Sequence, residues 1–235
     1  MCIRDRVRAT ADSFDLHDLY MDLHNFCAVD LSAFYFDIRK DSLYCDAPAS
    51  NRRRAVRTVL HAVMSRLTAW LAPVLVYTAE EAWRARPWKD GEASVHLRTY
   101  PDTPAAWRDD ALAAKWDKVR DIRRVVTGAL ELARADKKIG ASLQAKPTVH
   151  LTAERRAMLD GVDLSEISIT SGIVLSDAPA ANGDFALADV PGVSVHIDPA
   201  EGDKCERCWQ VLPEVGSHAH HPTLCNRCTD VVAGA

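Results

Sequence analysis

The chain has 235 residues, of which 48% are hydrophobic and 26% are charged, and its formal net charge is −4. This composition is typical of a globular protein and excludes a protein that binds nucleic acid through an overall positive charge. Residues 67–79 form the longest uncharged apolar run, which Pro73 interrupts and which is shorter than the roughly 20 residues of a membrane span. We therefore expect no membrane partner.

Neither the N-terminus nor the cysteines indicate a secreted protein. Residues 1–11 are predicted to be a truncated or non-native start, because Met1 to Arg6 neither resembles a signal peptide nor anchors an element. Seven cysteines occur in the chain, and four of them lie in the last 31 residues. This odd, clustered set fits a reducing compartment better than a disulfide framework, so we expect a cytoplasmic protein.

Residues 12–145 are predicted to form a mainly helical domain. Leu16, Leu19 and Leu23 recur at the spacing of one helical face, and Asp30 is a candidate N-cap for a second helix. Residues 47–50, which contain a proline, break this pattern. The domain is therefore expected to open with two helices before a loop.

The clearest helix is predicted over 51–71, and Pro73 would end or kink it. Thr78 and Glu81 match a capping box and would begin a short helix. After a loop-rich stretch, a long helix is predicted over 105–135, where apolar residues repeat roughly every 3.6 positions. Several amphipathic helices with short connections predict an antiparallel helical bundle.

Residues 146–200 are predicted to form a small α/β junction region. The stretches 148–151, 167–175 and 193–197 are rich in β-forming residues and alternate as strands do. Eight acidic residues against two arginines between 151 and 200 make this region a poor surface for phosphate. Residues 199–202 are a predicted hinge, and a zinc-binding module is expected over 201–235.

This module contains two Cys-x-x-Cys motifs separated by 16 residues. Two residues between ligands let both sulfurs of a motif face one ion, and two motifs complete a tetrahedron with Zn–S distances of ~2.3 Å. So small a module buries too little apolar surface to fold without metal, and four protein ligands leave no position for a catalytic water. We predict one structural Zn²⁺ in a zinc-ribbon or zinc-knuckle site, with the ligands Cys205, Cys208, Cys225 and Cys228.

Two other interpretations of these cysteines are open. They could be redox dithiols, although a thioredoxin-type motif requires a βαβ setting that this part of the sequence lacks. One of the histidines between the two motifs could also replace a cysteine as a ligand. These histidines are His218, His220 and His221.

Two basic segments are candidate phosphate-binding surfaces. Four arginines crowd the start of the helix predicted over 51–71, where cations oppose the helix dipole, so either a phosphate or nearby carboxylates would have to favour them. Residues 115–138 contain eight bases and four acids, and such a helix can follow a sugar–phosphate backbone. The candidate contacts are Arg52, Arg53, Arg54 and Arg57 in the first segment and Arg123, Arg124, Lys137 and Lys138 in the second.

A third candidate surface surrounds the cysteines and comprises Arg207, Trp209 and Arg227. Arginines at the tip of a zinc knuckle can pair with phosphates, and a tryptophan there can stack on an unpaired base. Alternatively, Trp209 only covers the metal site.

Several segments resemble the bacterial isoleucyl-tRNA synthetases, a family of class I aminoacyl-tRNA synthetases. The resemblance lies in residues 25–27 (Asn-Phe-Cys), 30–37 (Asp-Leu-Ser-Ala-Phe-Tyr-Phe-Asp), 40–44 (Lys-Asp-Ser-Leu-Tyr), 71–73 (Leu-Ala-Pro), 78–83 (Thr-Ala-Glu-Glu-Ala-Trp), 130–134, 138–145, 204–209 and 224–228. These segments occur in the order of the family. The valyl and leucyl enzymes share the helical bundle, but the four-cysteine module points to the isoleucyl branch.

The resemblance implies a mainly α fold: an antiparallel bundle of the anticodon-binding type, a small α/β region and a C-terminal four-cysteine zinc module. The family uses ATP to attach isoleucine to its tRNA, on a catalytic domain with His-Ile-Gly-His-like and Lys-Met-Ser-Lys-Ser-like signatures. Neither signature occurs in this chain, nor does the editing domain, so ATP would bind only in the missing catalytic domain. We expect a catalytically inactive C-terminal portion, a monomer that binds isoleucine tRNA and no DNA.

Two other functions compete with this interpretation. DNA-repair glycosylases end in a similar zinc finger, but they use an N-terminal proline amine as nucleophile, and Met1 and Cys2 do not provide one. A free-standing zinc scaffold for protein contacts is the third hypothesis, and the basic helices disfavour it only slightly.

Overall fold

The computed structural model describes residues 2–88 and 91–234, which divide into two compact units. The first unit contains residues 1–43 and 48–108, and the second contains residues 44–47 and 109–235, in each case as far as the chain is described. Within the described ranges, no helix combines the length and the apolar character that crossing a membrane would require.

The first unit is built from helices, as predicted. Its elements are α1 (Ile3–Asp12), α2 (Leu16–Asn25), a π-helix (Phe26–Phe36), α3 (Asp37–Cys45), α4 (Asn51–Leu71), α5 (Val76–Ala85) and 3₁₀ turns at Val95–Leu97 and Ala105–Trp107. The last two residues of α3 belong to the second unit. Helices α1, α2 and α4 bury a shared apolar cluster that consists of Val7, Leu19, Leu23 and Trp70. Removing this surface from water is the main force that holds them together.

The helix predicted over 51–71 is confirmed as α4. The hydroxyl oxygen of Ser50 accepts a hydrogen bond from the backbone N–H of Arg53 at 3.2 Å, which satisfies one donor of the first turn. The helix ends at Leu71, two residues before Pro73. Pro73 has no N–H to donate to the carbonyl of Ala69, four residues before it, so the sequence specifies both ends of this helix locally.

Two predicted helix starts in the first unit are wrong. Asp30 does not cap a helix, because the chain continues from α2 through the π-helix into α3 without an extended residue at that position. Thr78 lies inside α5, which begins two residues earlier. There the carbonyl of Leu75, not that of Thr78, accepts the first intrahelical bond, from the N–H of Ala79 at 2.8 Å.

The second unit combines one long helix with a small sheet. Helix α6 (Asp110–Ala135) begins five residues later than predicted, because the Asp109 carboxylate accepts a hydrogen bond from the N–H of Leu112 at 2.8 Å and so caps it there. Its apolar face is buried in the unit's core. The buried residues of α6 are Val119, Ile122, Val125, Val126, Ala129, Leu130 and Ala133.

Strands β1 (Thr148–Leu151), β2 (Val174–Ser176) and β3 (Val193–His196) form a sheet in the order β2-β1-β3. β1 pairs with β2 in parallel and with β3 in antiparallel orientation, so two predicted strands are confirmed. The strand predicted over 167–175 is wrong for most of its length. Its first two residues belong to α8 (Leu164–Ser168), because Asp163 accepts bonds from two backbone N–H groups and starts a helix there. Helix α7 (Ala153–Ala157) follows β1.

The long helix lies in the same unit as the sheet, and it contacts β3 and α8. The sequence had placed this helix with the bundle. The functional division at residues 12–145, 146–200 and 201–235 stays a prediction.

Replacing Ser50 by alanine should destabilise the protein by about 1 kcal/mol, because the first turn of α4 loses its cap. Ser50→Asp should retain the stability, since its carboxylate accepts the same bond and also favours the positive end of the helix dipole. Chemical denaturation followed by circular dichroism measures both variants. Equal stability of Ser50→Ala and the unchanged protein would contradict the role of this cap.

Candidate zinc centre and RNA-binding surfaces

The first cysteine pair lies in a tight turn between two short strands. Strands β4 (Asp203–Lys204) and β5 (Val211–Leu212) pair in antiparallel orientation. Within the turn, the N–H of Cys205 donates to the carbonyl of Gln210 at 2.8 Å, and the N–H of Trp209 donates to the carbonyl of Cys205 at 2.9 Å. These bonds bring the Cys205 and Cys208 side chains to the same side of the turn.

Gly202 allows the strands to approach this closely. Its φ is +105°, and a Cβ at this position would lie 2.3 Å from the backbone carbonyl of Leu212. Only glycine fits such a contact. The residues predicted as a hinge therefore lead directly into the pairing of β4 with β5.

The second cysteine pair begins helix α9 (Asn226–Ala233). Cys225 is the N-cap residue, and its carbonyl accepts a bond from the N–H of Thr229 at 2.9 Å. Cys228 lies within the first turn, so both sulfurs lie at the same end of α9. The N–H of Cys225 donates to the sulfur of Cys205 at 3.4 Å, which joins the two pairs.

The four sulfur atoms lie within 4.8 Å of one another, and all four cysteines are buried. The Sγ atoms of Cys208 and Cys225 are 3.7 Å apart. A regular tetrahedron with Zn–S distances of ~2.3 Å has edges of about 3.8 Å, so the cluster has the size of a four-thiolate zinc site. Leu212, Val215 and Leu224 pack against the cluster and exclude water from it.

The surroundings of Cys205 favour its thiolate form, whereas those of Cys208 and Cys225 favour the protonated thiol. Burial raises the pKa of the Cys205 thiol, but hydrogen bonds from backbone N–H groups, first that of Cys208, outweigh burial and lower the pKa to about 6. Burial raises the pKa of Cys225 to about 11 and also raises that of Cys208. Cys208 and Cys225 would therefore have to lose their protons on binding Zn²⁺, since zinc ligands are thiolates.

The histidines between the two cysteine pairs do not join the cluster. The only group with metal-ligand geometry among residues 2–88 and 91–234 consists of the four cysteines. The His218 ring is occupied elsewhere, with Nε2 at 2.7 Å from Oδ1 of Asn226. The interpretation with a histidine ligand therefore gains no support.

The arginines at the start of α4 differ in their surroundings. Arg52 lies 3.3 Å from the Asp41 carboxylate, and Arg53 is half-buried. Arg54 and Arg57 are exposed and lie on one face of the helix, three residues apart. The carboxylate pairing considered for this segment thus applies to Arg52, whereas Arg54 and Arg57 face outward.

Arg54 and Arg57 line a cleft of about 670 Å³ that also contains an aromatic pair. The rings of His61 and Trp88 have centroids 4.0 Å apart and are tilted by 32°. Cationic and aromatic side chains in one cleft are the combination that binds single-stranded nucleic acid. His61 and Trp88 were not among the residues predicted for this surface, although His61 follows Arg57 by four residues on the helix.

The bases of α6 mostly contact groups of their own unit. Arg123 donates to the carbonyl of Ile167 at 2.6 Å, and Arg124 donates to the Asp189 carboxylate at 2.8 Å. Lys137 and Lys138 are exposed just after the helix ends. The acidic residues of the junction region thus compensate part of the charge on α6, and the predicted RNA contacts of this helix stay a prediction.

Trp209 does not cover the zinc site. Its side chain is 60% exposed, and the apolar residues that pack on the cysteines are others. Its backbone has a φ of +67°, which is unusual for a bulky residue and costs about 1–2 kcal/mol. The ammonium of Lys204 lies 5.4 Å from the ring centroid. The knuckle therefore presents an aromatic ring and a cation to the solvent.

Comparison with known proteins agrees with this arrangement. Residues 4–149 match the family described as the anticodon-binding domain of tRNA ligase. The chain belongs to this family of anticodon-binding domains. Residues 202–231 match the zinc finger found in FPG and IleRS. With the cysteine geometry, this second match shows that the anticodon-binding chain carries one structural Zn²⁺ site.

The relatives of this anticodon-binding chain include isoleucine–tRNA ligases from several bacteria. That of Brucella abortus is 50% identical over 222 residues, which are 94% of this chain and 23% of the relative. That of Ruegeria pomeroyi is 51% identical over 225 residues, and that of Caulobacter vibrioides is 46% identical over 229 residues. The chain spans less than a quarter of the length of these curated relatives.

The purified chain should contain about one zinc per molecule, because four thiolates complete the coordination of one ion. Cys225→Ser should lose the metal, whereas Cys27→Ser, which changes a cysteine outside the cluster, should keep it. Elemental analysis measures the ratio, and hydrogen exchange should show faster exchange over 204–228 after chelation, with α4 unaffected. Zinc retained by Cys225→Ser would contradict the assignment.

Proposed function

We propose that this chain is the tRNA-binding C-terminal portion of an isoleucine–tRNA ligase. The observation that carries the proposal is the combination of an anticodon-binding match over 4–149 with a zinc finger over 202–231 in one chain. The zinc finger alone fits a glycosylase equally well, since its description names FPG too. The helical match and the relatives favour the ligase.

In this proposal the partner is isoleucine tRNA, and the chain contributes binding, not chemistry. The relatives carry the name of the ligase at four times this length, so ATP and isoleucine would be handled by parts outside the matched region. The remaining expectations follow from the proposal: a monomer in the cytoplasm that binds no DNA. Residues 12–145 would form the anticodon-binding domain, 146–200 the junction and 201–235 the zinc module.

Two surfaces would contact the RNA. The first is the α4 cleft, which we define by Arg54, Arg57, His61 and Trp88. Its arginines would pair with phosphates while its rings accept a base. The second is the zinc knuckle, where Trp209 would stack on an unpaired nucleotide. Because the net charge of the chain is −4, attraction to RNA has to come from such local groups.

Binding of isoleucine tRNA should weaken steeply with salt, and Arg54→Ala with Arg57→Ala should flatten the dependence. Each phosphate contact on single-stranded RNA contributes about −0.7 to the slope of log K against log salt, so loss of two contacts in the double variant should change the slope by about 1.4. Arg155→Ala with Arg156→Ala is the matched control, since it removes the same charge from the acidic region. Filter binding at several salt concentrations measures all three proteins. If both double variants change the slope equally, the α4 cleft does not contact phosphate.

Trp209→Gly should separate RNA stacking from a structural role. Glycine adopts a φ of +67° without strain, so the module should keep its zinc and its stability. RNA affinity should nevertheless fall by about 1–3 kcal/mol, as expected when a base loses its stacking partner, and the salt slope should stay unchanged. Trp209→Phe should retain most of the affinity. Unchanged RNA binding by Trp209→Gly would contradict stacking at this residue.

A further inference from the structure

The Arg207 side chain connects the zinc site to the main chain of a distant segment, residues 44–47. Its guanidinium donates to the carbonyl of Cys45 at 2.6 Å and to the carbonyl of Tyr44 at 3.1 Å. The same Nη1 atom lies 3.5 Å from the sulfur of Cys228, a zinc ligand. One side chain therefore binds both a metal ligand and two successive carbonyls of this segment.

Two further contacts hold the same segment. Cys45 is buried in the cluster of the four ligand cysteines, and its sulfur donates to the carbonyl of Arg207 at 3.6 Å. Asp46 is also buried, and its carboxylate lies 3.5 Å from the guanidinium of Arg227. These contacts explain why residues 44–47 belong to the compact unit that contains the zinc module.

Tyr44 is the exception in this buried segment, because its side chain is 74% exposed. Its carbonyl is held by Arg207, which is followed after one residue by Trp209. The Arg207 side chain thus spans the distance between the backbone carbonyl of Tyr44 and the turn that contains Trp209. Two exposed aromatic residues, Tyr44 and Trp209, are therefore attached to the surroundings of one zinc site, and exposed aromatic rings are surfaces on which unpaired RNA bases stack.

We propose that Tyr44 stacks on an unpaired nucleotide of the RNA beside the zinc knuckle, and that Arg207 is a positioning residue that holds Tyr44 there. This inference rests on the proposed RNA-binding function. It also changes the role predicted for Arg207 from a phosphate contact to a link between the metal ligand and the Tyr44 backbone. The Arg207 guanidinium uses its Nη1 and Nη2 donors to contact two carbonyls and a sulfur. A phosphate would need the same donors.

The test measures binding of an isoleucine tRNA transcript to the zinc-loaded full chain and to variants of Tyr44. Tyr44→Leu should weaken binding about fivefold or more, because loss of one stacked base costs at least that factor. Tyr44→Phe keeps the ring and should bind within about twofold of the unchanged chain. Tyr77→Leu, which removes another exposed tyrosine, is the matched control and should bind normally. All variants should keep their zinc.

A double-variant cycle tests the role of Arg207. If Arg207 acts through Tyr44, Arg207→Met should weaken binding as Tyr44→Leu does, and the combined variant should be little worse than either. The salt slope should not change. If Arg207 bound phosphate instead, the two effects would multiply and the slope would fall by about 0.7. Zinc content, measured in parallel, identifies any variant whose effect comes from metal loss.

The outcomes separate the two proposals. Normal tRNA binding by Tyr44→Leu, together with salt-dependent binding of the unchanged chain, would overturn the role of Tyr44 and leave the proposed function intact. Absence of any tRNA binding by the unchanged chain would overturn both. Equal weakening by Tyr44→Leu and Tyr44→Phe would show that the hydroxyl, not the ring, matters, and would also overturn stacking.

Discussion

The convergence of four buried sulfur atoms is the constraint on which the C-terminal module depends. Residues 202–231 contain two strands of two residues each and one short helix, which bury too little apolar surface to be stable alone. Binding of Zn²⁺ by the four cysteines would supply the missing free energy, while Gly202 allows β4 and β5 to pair and Cys225 begins α9. The positive φ of Trp209 lies in the turn that holds the first cysteine pair, so zinc binding would also offset the cost of this backbone conformation.

The influence of the metal site extends to residues 44–47 because its surrounding groups are shared. Cys45 adds a fifth buried cysteine to the cluster without being a ligand, and Arg207 joins the Cys228 sulfur to the carbonyl of Cys45. Groups that hydrogen-bond to metal ligands commonly orient them. Here Arg207 contacts the sulfur of Cys228 and also the carbonyl of Cys45, so the same side chain holds a ligand and residues 44–47. A zinc site of this kind organises chain that lies far from its ligands in the sequence.

The sequence predicted those structural features whose determining residues lie close together in the chain. Helix α4 was predicted at both ends because the break at 47–50, the apolar period and Pro73 are all local signals, and the structure adds that Ser50 is the N-cap. The zinc ligands followed from their spacing. The predictions at Asp30 and over 167–175 were wrong for different reasons. At Asp30, a single potential capping residue did not interrupt the continuous helical chain. At 167–175, the cap at Asp163 started a helix where a short alternating run had predicted a strand. Nothing in the sequence predicted the link between Arg207 and Tyr44, since it joins residues 163 positions apart through a backbone carbonyl, which leaves no side-chain pattern.

The distribution of charge is compatible with the proposed RNA-binding surfaces on an acidic chain. The bases of α6 are partly compensated inside their own unit, as in the pair of Arg124 with Asp189. Exposed cations that lie near an aromatic ring include Arg54 and Arg57 in the α4 cleft and Lys204 at the knuckle. Stacking on these aromatic rings requires bases that are free to leave their own stack. Such a surface would favour single-stranded loops over duplex, as the proposed binding of an anticodon requires.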